Sequence, residues 1–278
     1  MEITYFLAFN RLVSKYFYRI QTRLFATDDV VFLNIGYEED PPMALRLAAC
    51  DEADRFYIQL YHRLATQADL SGKRVLEVGC GHGGGASYLM RTLAPASYTA
   101  LDLNRSGIAF CRKRHNLRGL DFVHGNAEKL PFAAQSFDAV INLESSAAYP
   151  HFSRFLAEVA RVLRPGGHFL YADLRPRSGI AEWETALAEA PLRMVSHKLI
   201  NAQVLHALDA NAQRTQELLS RMPAGLRSLG REYSGIEGTG FYRALQREKY
   251  LYRMYCFTND DAASIPGEVA SRDAVSGL

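Results

Sequence analysis

This chain of 278 residues has few cysteines and a small net charge. Its four cysteines show neither the C-x-x-C spacing of a zinc site nor a disulfide framework, which indicates a reducing, cytoplasmic compartment. Because 32 basic residues stand against 30 acidic ones, the formal net charge is +2, and nucleic acid is not expected as the main partner. No apolar run is long enough to span a bilayer, and basic residues interrupt the apolar N-terminal stretch, so neither a transmembrane helix nor a signal peptide is predicted.

The N-terminal stretch combines aromatic residues with a regular basic pattern. Arg11, Lys15, Arg19 and Arg23 recur every four residues, which places them on one face of a predicted helix over residues 3–25. Such a face is usually the solvated side of a helix that packs on its own domain, but it also suits peripheral contact with the inner face of a membrane. Both interpretations stay open from the sequence, as does the oligomeric state.

Apolar runs of strand type alternate with helical stretches between Arg74 and Asp173. The runs cover residues 74–78, 97–103, 121–124, 139–143 and 167–173. This alternation predicts parallel strands with right-handed crossovers, hence a doubly wound α/β sheet. The chain then divides into an N-terminal helical arm (1–70), a core (71–176), a helical lid over the substrate site (177–248), a final core strand (249–259) and a tail expected to be disordered (260–278).

A glycine-rich turn follows the first of these runs. Gly79, Gly81 and Gly83 stand between the apolar strand that starts near Val75 and the next helix. Because they lack side chains, the backbone can turn tightly and approach a ligand, with the N–H groups of the helix N-terminus facing it. Gly84 completes the pattern G-x-G-x-x-G, which also occurs in dinucleotide-binding enzymes and is weak evidence by itself.

Two carboxylates accompany this turn. Asp102 ends the next strand, 21 residues after Gly81, where it can accept both ribose hydroxyls of an adenosine. Glu77 lies two residues before Gly79, at a position where a dinucleotide site prefers an apolar residue. A nicotinamide cofactor would also need Asp102, so these residues alone leave a dehydrogenase open.

Three later segments resemble the class I S-adenosylmethionine-dependent methyltransferases. Residues 122–132 (FVHGNAEKLPF), 136–140 (SFDAV) and 163–167 (LRPGG) are similar to signature runs of that family and follow the glycine turn in the family's order. The resemblance implies a doubly wound, mostly parallel, seven-stranded Rossmann-like sheet, with S-adenosyl-L-methionine as cofactor and S-adenosyl-L-homocysteine as product. The Leu-Pro-Phe run at the end of the first segment and the Arg-Pro-Gly-Gly run of the third have no role in a dehydrogenase. The intact Glu77 and Asp102 disfavour a scaffold that has lost catalysis.

The same resemblance implies a set of cofactor-binding residues. Glu77 would hold the amino group of the methionine moiety, and Asp102 the ribose. Asn126 replaces a more frequent Asp of the family, and its amide can still bind the adenine edge. Tyr37 resembles an N-terminal aromatic that covers the cofactor, and Asn142 ends the fourth strand near the sulfonium. The full predicted set is Tyr37, Glu77, Gly79, Cys80, Gly81, Gly83, Asp102, Leu103, Asn126, Ala127 and Asn142.

A closer resemblance covers most of the chain and concerns the mycobacterial methyltransferases of phthiotriol and phenolphthiotriol dimycocerosates. It is carried by residues 37–43 (YEEDPPM), 80–89 (CGHGGGASYL), 150–152 (PHF), 171–176 (YADLRP) and 252–258 (YRMYCFT). The resemblance implies an O-methyltransferase that acts on a hydroxyl of a hydrophobic lipid or polyketide-derived acceptor. Methylation of a sugar hydroxyl, or of nitrogen or carbon in another small metabolite, stays open.

An alcohol acceptor needs a general base, and histidine is the usual one. Related O-methyltransferases place histidine three or four residues after a glutamate that follows the fourth strand, but residues 147 and 148 are alanine here. His151 is therefore the first candidate base, with Glu144 as its orienting residue or as the alternate base. A helix-capping role for His151 is equally compatible with the sequence.

Three further residues are expected to contact the acceptor, namely His82, Tyr149 and Asp173. Loop shaping is the alternative role for His82, and helix capping is the alternative for Asp173. No cluster of His, Asp and Glu stands at ligand spacing, so a catalytic metal is not predicted.

Overall fold

The described part of the chain comprises residues 30–221 and 234–260, with Gly225, Arg227, Gly230 and Arg231 between them, in a computed structural model. The predicted basic helix over residues 3–25 and the predicted tail beyond Asp260 lie outside it. Within the described residues, no helix has the length and apolar character needed to cross a bilayer.

Seven strands form a single mixed sheet. In chain order they are β1 (Arg74–Val78), β2 (Ser97–Asp102), β3 (Leu120–His124), β4 (Phe137–Leu143), β5 (Leu163–Pro176), β6 (Arg193–Leu199) and β7 (Tyr250–Thr258). Their spatial order is β3, β2, β1, β4, β5, β7, β6. The first five neighbours run parallel, whereas β7 is antiparallel to β5 and β6 is antiparallel to β7. The prediction of a doubly wound, mostly parallel sheet of seven strands is confirmed.

Helices flank the sheet on both faces. The described α-helices are α1 (Arg55–Ala65), α2 (Gly84–Thr92), α3 (Arg105–Arg114), α4 (Phe152–Val162), α5 (Ile180–Ala188), α6 (Asn201–Ala210), α7 (Ala212–Ser220) and α8 (Gly240–Gln246). Short 3₁₀ turns occupy Glu52–Asp54, Ser146–Ala148 and Arg177–Gly179.

Alternating side chains of the buried strands divide the core into two layers. On β1, Val75 belongs to the layer that contains Leu64 of α1, whereas Leu76 belongs to the layer that contains Phe155 of α4. All four side chains are fully buried. This sandwich holds the carboxyl ends of the parallel strands at one edge, where open α/β sheets bind ligands.

One strand interrupts the segment that the sequence predicts as a mostly helical lid. All seven residues of β6 are exposed, including Met194 and Val195, so neither face of this strand is buried and its sequence carries no burial pattern. The strand exists because its backbone pairs with β7 at the edge of the sheet. The assignment of residues 177–248 as a lid remains a prediction.

Candidate active site

A cavity of about 520 Å³ opens at the carboxyl ends of β1, β2 and β4. It lies where the chain order of the strands reverses, between β1 and β4. Ten of the residues predicted for the site line it: Gly79, Cys80, Gly81, His82, Asp102, Leu103, Asn126, Ala127, Glu144 and Tyr149. Six do not line it: Tyr37, Glu77, Gly83, Asn142, His151 and Asp173.

The glycine turn after β1 forms the floor of the cavity. Gly79 and Gly81 have φ angles of +82° and +54°, in the left-handed region that favours glycine. The Gly81 amide donates to Asp102 Oδ2 at 2.9 Å, which joins the turn to the end of β2. A Cβ atom at Gly79 would lie 2.2 Å from Ser145 Oγ, so the turn also packs closely against the residues that follow β4.

Asp102 stands in the cavity wall with both carboxylate oxygens oriented by the backbone. Oδ2 accepts from Gly81, and Oδ1 accepts from the Asn104 amide at 2.8 Å. Each oxygen has a further lone pair with which to accept from a ligand hydroxyl. Burial raises the pKa of Asp102 above its ordinary value. Leu103, which is 63% exposed, and Ala127 add apolar surface to the same wall, so this end of the cavity suits a sugar joined to a flat ring.

Asn126 lies in the wall formed by the turn after β3. Its Oδ1 accepts from the Glu128 amide at 2.9 Å, which fixes the side-chain orientation. The side-chain nitrogen is then the atom that can donate to a ligand in the cavity.

Glu77 lies behind the cavity wall, in contrast to its predicted contact with a ligand amino group. It is 1% exposed, and its two oxygens accept from the hydroxyls of Tyr61 at 2.9 Å and Tyr98 at 3.0 Å. Because side chains alternate along a strand, Glu77 shares the face of Val75 and points into the core under α1. Burial raises the pKa of Glu77 to about 7. Tyr61 does line the cavity, so Glu77 supports the wall through this tyrosine.

Tyr37 is also absent from the cavity wall, which corrects its predicted covering position. The side chain is fully buried in the core, and its hydroxyl donates to Glu39 at 2.9 Å. Gly36, with φ of +100°, turns the chain just before it. The residues of this segment that do line the cavity are Val31, Leu33 and Asn34.

Residues 30–36 therefore form a strap along the cavity. The Gly84 amide, at the start of α2, donates to the Val31 carbonyl at 3.1 Å. At the other end, the Ile35 amide donates to Glu144 Oε1 at 3.0 Å. The strap is thus hydrogen-bonded both to the glycine turn and to the residues after β4.

His82 helps to hold the strap and shapes the glycine-rich loop. Loop shaping is the alternative to acceptor binding that the sequence left open for this residue. The ring is 2% exposed, its Nδ1 lies 2.8 Å from the Val30 carbonyl oxygen, and its centroid lies 4.9 Å from that of Phe110. A carbonyl only accepts, so this contact requires a proton on Nδ1. Burial lowers the pKa of His82, which favours the neutral ring at pH 7.

Glu144, the residue directly after β4, lines the cavity. Its Oε1 accepts from the Tyr252 hydroxyl at 2.6 Å and from the Ile35 amide. Burial raises the pKa of Glu144 to about 8, and the nearby charge of Asp173 adds to this effect, while the two hydrogen bonds oppose it. The site therefore holds an oriented carboxyl that titrates close to neutral pH.

A cluster of neutral polar groups lies beside Glu144. Asn142 is fully buried, and its side-chain nitrogen lies 2.8 Å from the Val78 carbonyl and 2.7 Å from Ser145 Oγ. The Tyr149 hydroxyl is 2.9 Å from Ser145 Oγ, and both of these residues line the cavity. Asn142 Oδ1 has no hydrogen-bond partner among the described residues. Asn142 thus acts behind the wall and orients the two hydroxyls.

His151, the first candidate base from the sequence, lies on the surface. Its side chain is 56% exposed, and Nδ1 pairs with Glu128 at 2.9 Å. The residue immediately precedes α4, and its side chain makes no hydrogen bond that caps the helix. It does not line the cavity itself, although its partner Glu128 and its neighbour Pro150 do.

Asp173 and Gly83 have roles in the framework. Asp173 is fully buried, and its Oδ2 lies 3.1 Å from Arg175 in an ion pair under the turn after β4. A Cβ atom at Gly83 would lie 2.7 Å from Phe122, so this glycine allows α2 to pack against β3. Neither residue contacts the cavity, contrary to the roles expected for them.

Sequence reasoning missed Tyr61, Tyr252, Ser145 and the strap. Tyr252 meets Glu144 across 108 residues of sequence, and Tyr61 meets Glu77 across 16 residues on a different element. The sequence does carry one signal for Tyr61, which is the acidic Glu77 within an apolar strand. A buried carboxyl requires hydrogen-bond donors from its neighbours, so its position predicts polar partners in the core. No group of three His, Cys, Asp or Glu side chains within the described part of the chain could hold a metal ion.

Comparison with known families places a methyltransferase domain on residues 76–171. This range contains the last three residues of β1, all of β2 to β4 and most of β5, and with them the glycine turn, Asp102 and Glu144. The N-terminal strap and the segment after β5 lie outside it.

Two curated proteins are similar to this chain over most of their length. The phthiotriol/phenolphthiotriol dimycocerosates methyltransferase of Mycobacterium tuberculosis is 59% identical over 249 residues, which cover 89% of this chain and 92% of that protein. The fatty-acid O-methyltransferase of Mycolicibacterium smegmatis is 57% identical over 244 residues, which cover 87% of this chain and 88% of that protein.

A solved structure with the same fold is the geranyl diphosphate C-methyltransferase of Streptomyces coelicolor, determined with Mg²⁺, geranyl diphosphate and S-adenosyl-L-homocysteine. It is 15% identical to this chain, with a TM-score of 0.62, and the match covers 85% of this chain and 93% of that one. At this identity the likeness concerns the fold.

Proposed function

Since this chain belongs to the S-adenosylmethionine-dependent methyltransferases, in the family of the phthiotriol/phenolphthiotriol dimycocerosates enzymes, we propose that it methylates a hydroxyl of a hydrophobic lipid or polyketide-derived acceptor. Two relatives above 55% identity, whose names specify a dimycocerosate and a fatty acid, support a lipid-like acceptor. The apolar residues Val31, Leu33 and Leu143 in the cavity wall fit such a molecule.

The residues present in the cavity fit S-adenosylmethionine. Asp102 offers two oriented carboxylate oxygens for the ribose hydroxyls, and Leu103 and Ala127 offer apolar surface for the adenine. The bare backbone at Gly79 and Gly81 lets a ligand approach the floor closely. When bound, this cofactor supplies a methyl group on a positively charged sulfur, which needs no further activation by the protein.

The observation that carries the proposal of a hydroxyl acceptor is the carboxyl of Glu144. A hydroxyl must lose its proton as its oxygen takes the methyl group, and an efficient general base has a pKa near the working pH. Burial brings the pKa of Glu144 to about 8, which suits this task. The hydrogen bonds from Tyr252 and Ile35 both end on Oε1, so we assign the proton to Oε2.

The rest of the wall aligns the reactants and keeps water out, which is the main contribution of a protein to an in-line methyl transfer. The strap covers one side through Val31 and Leu33, and Tyr149 and Ser145 close the side near Asn142. As the oxygen–carbon bond forms and the sulfur–carbon bond breaks, the hydroxyl proton moves to Glu144.

The test is transfer of a labelled methyl group from S-adenosylmethionine to fractionated lipid and polyketide extracts. We expect a labelled methyl ether of a lipid, with kcat lowered about 100- to 10,000-fold in Glu144→Gln. The wild-type rate should rise with pH to a plateau above about 8, because Glu144 must be ionised to accept the proton. His151→Ala is the matched control and should stay within about twofold of wild type, since His151 is exposed and lies outside the cavity.

Label that enters a nitrogen, a carbon or a sugar hydroxyl of a polar metabolite would contradict the proposed acceptor. An unchanged rate in Glu144→Gln would remove this carboxyl from the reaction, and a large loss in His151→Ala would restore the histidine as base.

A further inference from the structure

Glu144 holds a backbone conformation that its residue type disfavours. Its φ is +50°, in the left-handed region, where a side chain with a Cβ atom is strained. Such strain persists only when surrounding contacts fix it, and it concentrates at functional sites. The contacts around the turn 144–147 therefore identify what keeps the carboxyl in the cavity.

Ser146 is the centre of these contacts. It is 2% exposed, and its Oγ donates to Asp173 Oδ2 at 2.6 Å. The same oxygen accepts from Arg175 at 2.8 Å and lies 2.7 Å from the Tyr171 hydroxyl. Tyr171 in turn accepts from Trp183 Nε1 at 2.9 Å. A directed chain of hydrogen bonds thus runs from α5 through β5 to the turn.

Asp173 holds the same turn at a second point. Its Oδ2 also accepts from the Ala147 amide at 3.1 Å, and the Arg175 guanidinium lies 3.1 Å from the same oxygen. Arg175 is held in turn, because its guanidinium carbon lies 4.8 Å above the Trp183 ring. The charge of Asp173 is therefore paired, and its hydrogen bonds are available to fix the turn.

We propose that Ser146 and Asp173 are positioning residues for the methyl transfer, which hold the strained turn so that the Glu144 carboxyl faces the acceptor hydroxyl. This inference rests on the proposed role of Glu144 as general base. Neither residue lines the cavity, so both act through Glu144 and have no direct part in binding cofactor or acceptor.

The test is a double-mutant cycle on kcat with Ser146→Ala, Glu144→Gln and the double variant. We expect Ser146→Ala to lower kcat at least tenfold while the KM for S-adenosylmethionine stays within about twofold. In the Glu144→Gln background, the same substitution should lower kcat by less than twofold, because a residue that acts through the base has no effect once the base is gone.

Ser136→Ala is the matched control. Ser136 directly precedes β4, at the opposite end of that strand, and its Oγ donates to the Ala133 carbonyl at 2.6 Å. It should leave kcat unchanged in both backgrounds. Ser146→Thr, which keeps the hydroxyl, should recover most of the rate and shows whether the hydroxyl itself is required.

Equal losses from Ser146→Ala with and without Glu144 would overturn the positioning role and leave the base assignment intact. An unchanged kcat in Glu144→Gln alone would overturn the base and the positioning role together. Circular dichroism melts of all variants identify any loss that comes from unfolding, and in that case Ser146→Thr decides the outcome.

Discussion

The buried carboxyl of Glu77 gives the protein a stability that depends on pH. Glu77 is 1% exposed and bonded to two tyrosine hydroxyls, and burial raises its pKa from 4.5 to about 7. A carboxyl whose pKa is higher in the folded than in the unfolded state stabilises the fold fully below the unfolded value. This contribution is lost as the pH rises through about 7.

The size of the effect follows from the two pKa values. The difference between 4.5 and about 7 corresponds to about 3 kcal/mol, at about 1.4 kcal/mol for each pKa unit. We therefore expect the free energy of unfolding of the wild type to fall by about 3 kcal/mol between pH 4.5 and pH 8 because of this group. Glu77→Gln removes the titration and keeps the shape of the side chain.

The assay is urea unfolding of wild type and Glu77→Gln at several pH values between 5 and 9. The difference between their free energies of unfolding isolates Glu77, since all other titrating groups are common to both proteins. Glu158→Gln is the control, because Arg161 lowers the pKa of Glu158 and that carboxyl stays ionised throughout this range. A difference between wild type and Glu77→Gln that is constant from pH 5 to pH 8 would refute the reasoning.

Two substitutions test the cofactor end of the cavity. Gly79→Ala should weaken S-adenosylmethionine binding at least tenfold in calorimetry, because the added Cβ would lie 2.2 Å from Ser145 Oγ. Gly166→Ala is its control, since Gly166 has a similar φ of +73° and no atom lies within 4 Å of the added Cβ. Equal binding losses in the two variants would contradict the steric argument. Asp102→Asn should weaken S-adenosylmethionine binding about tenfold or more. The asparagine side chain has only one acceptor atom, whereas the carboxylate uses two oxygens to accept from the Gly81 and Asn104 amides and to bind the ribose. An unchanged affinity would remove Asp102 from the site.

The sequence was sufficient to predict the sheet, because its central strands are buried on both faces and read as continuous apolar runs. The same logic failed for β6, whose seven residues are all exposed and whose existence depends on backbone pairing with β7. The cavity floor was predictable for a related reason. Gly79 and Gly81 need left-handed φ angles at the end of a buried strand, and that requirement is visible as glycine spacing.

The carboxyl that we propose as the base, and its environment, were only partly predictable. The sequence offered Glu144 as a secondary candidate to His151, since histidine is the usual base, yet the structure places His151 on the surface and Glu144 in the cavity. The deciding quantity is burial, which raises the pKa of Glu144 to about 8. The hydrogen bonds that orient this carboxyl come from Tyr252 and Ile35, which lie more than 100 residues away in sequence.

The strap and the proposed base are linked through one oxygen atom, so the proposed proton transfer also changes the strap's hydrogen bond. Glu144 Oε1 accepts from the Ile35 amide of the strap, so the strap is bound to a carboxylate before reaction and to a neutral carboxyl after proton uptake on Oε2. Hydrogen bonds to an ionised acceptor are roughly twice as strong as those to a neutral one. With Glu144 as the proposed base, the strap would be held most tightly while the reactants must be shielded from water, and its hydrogen bond would weaken once the proton has moved and the products have to leave.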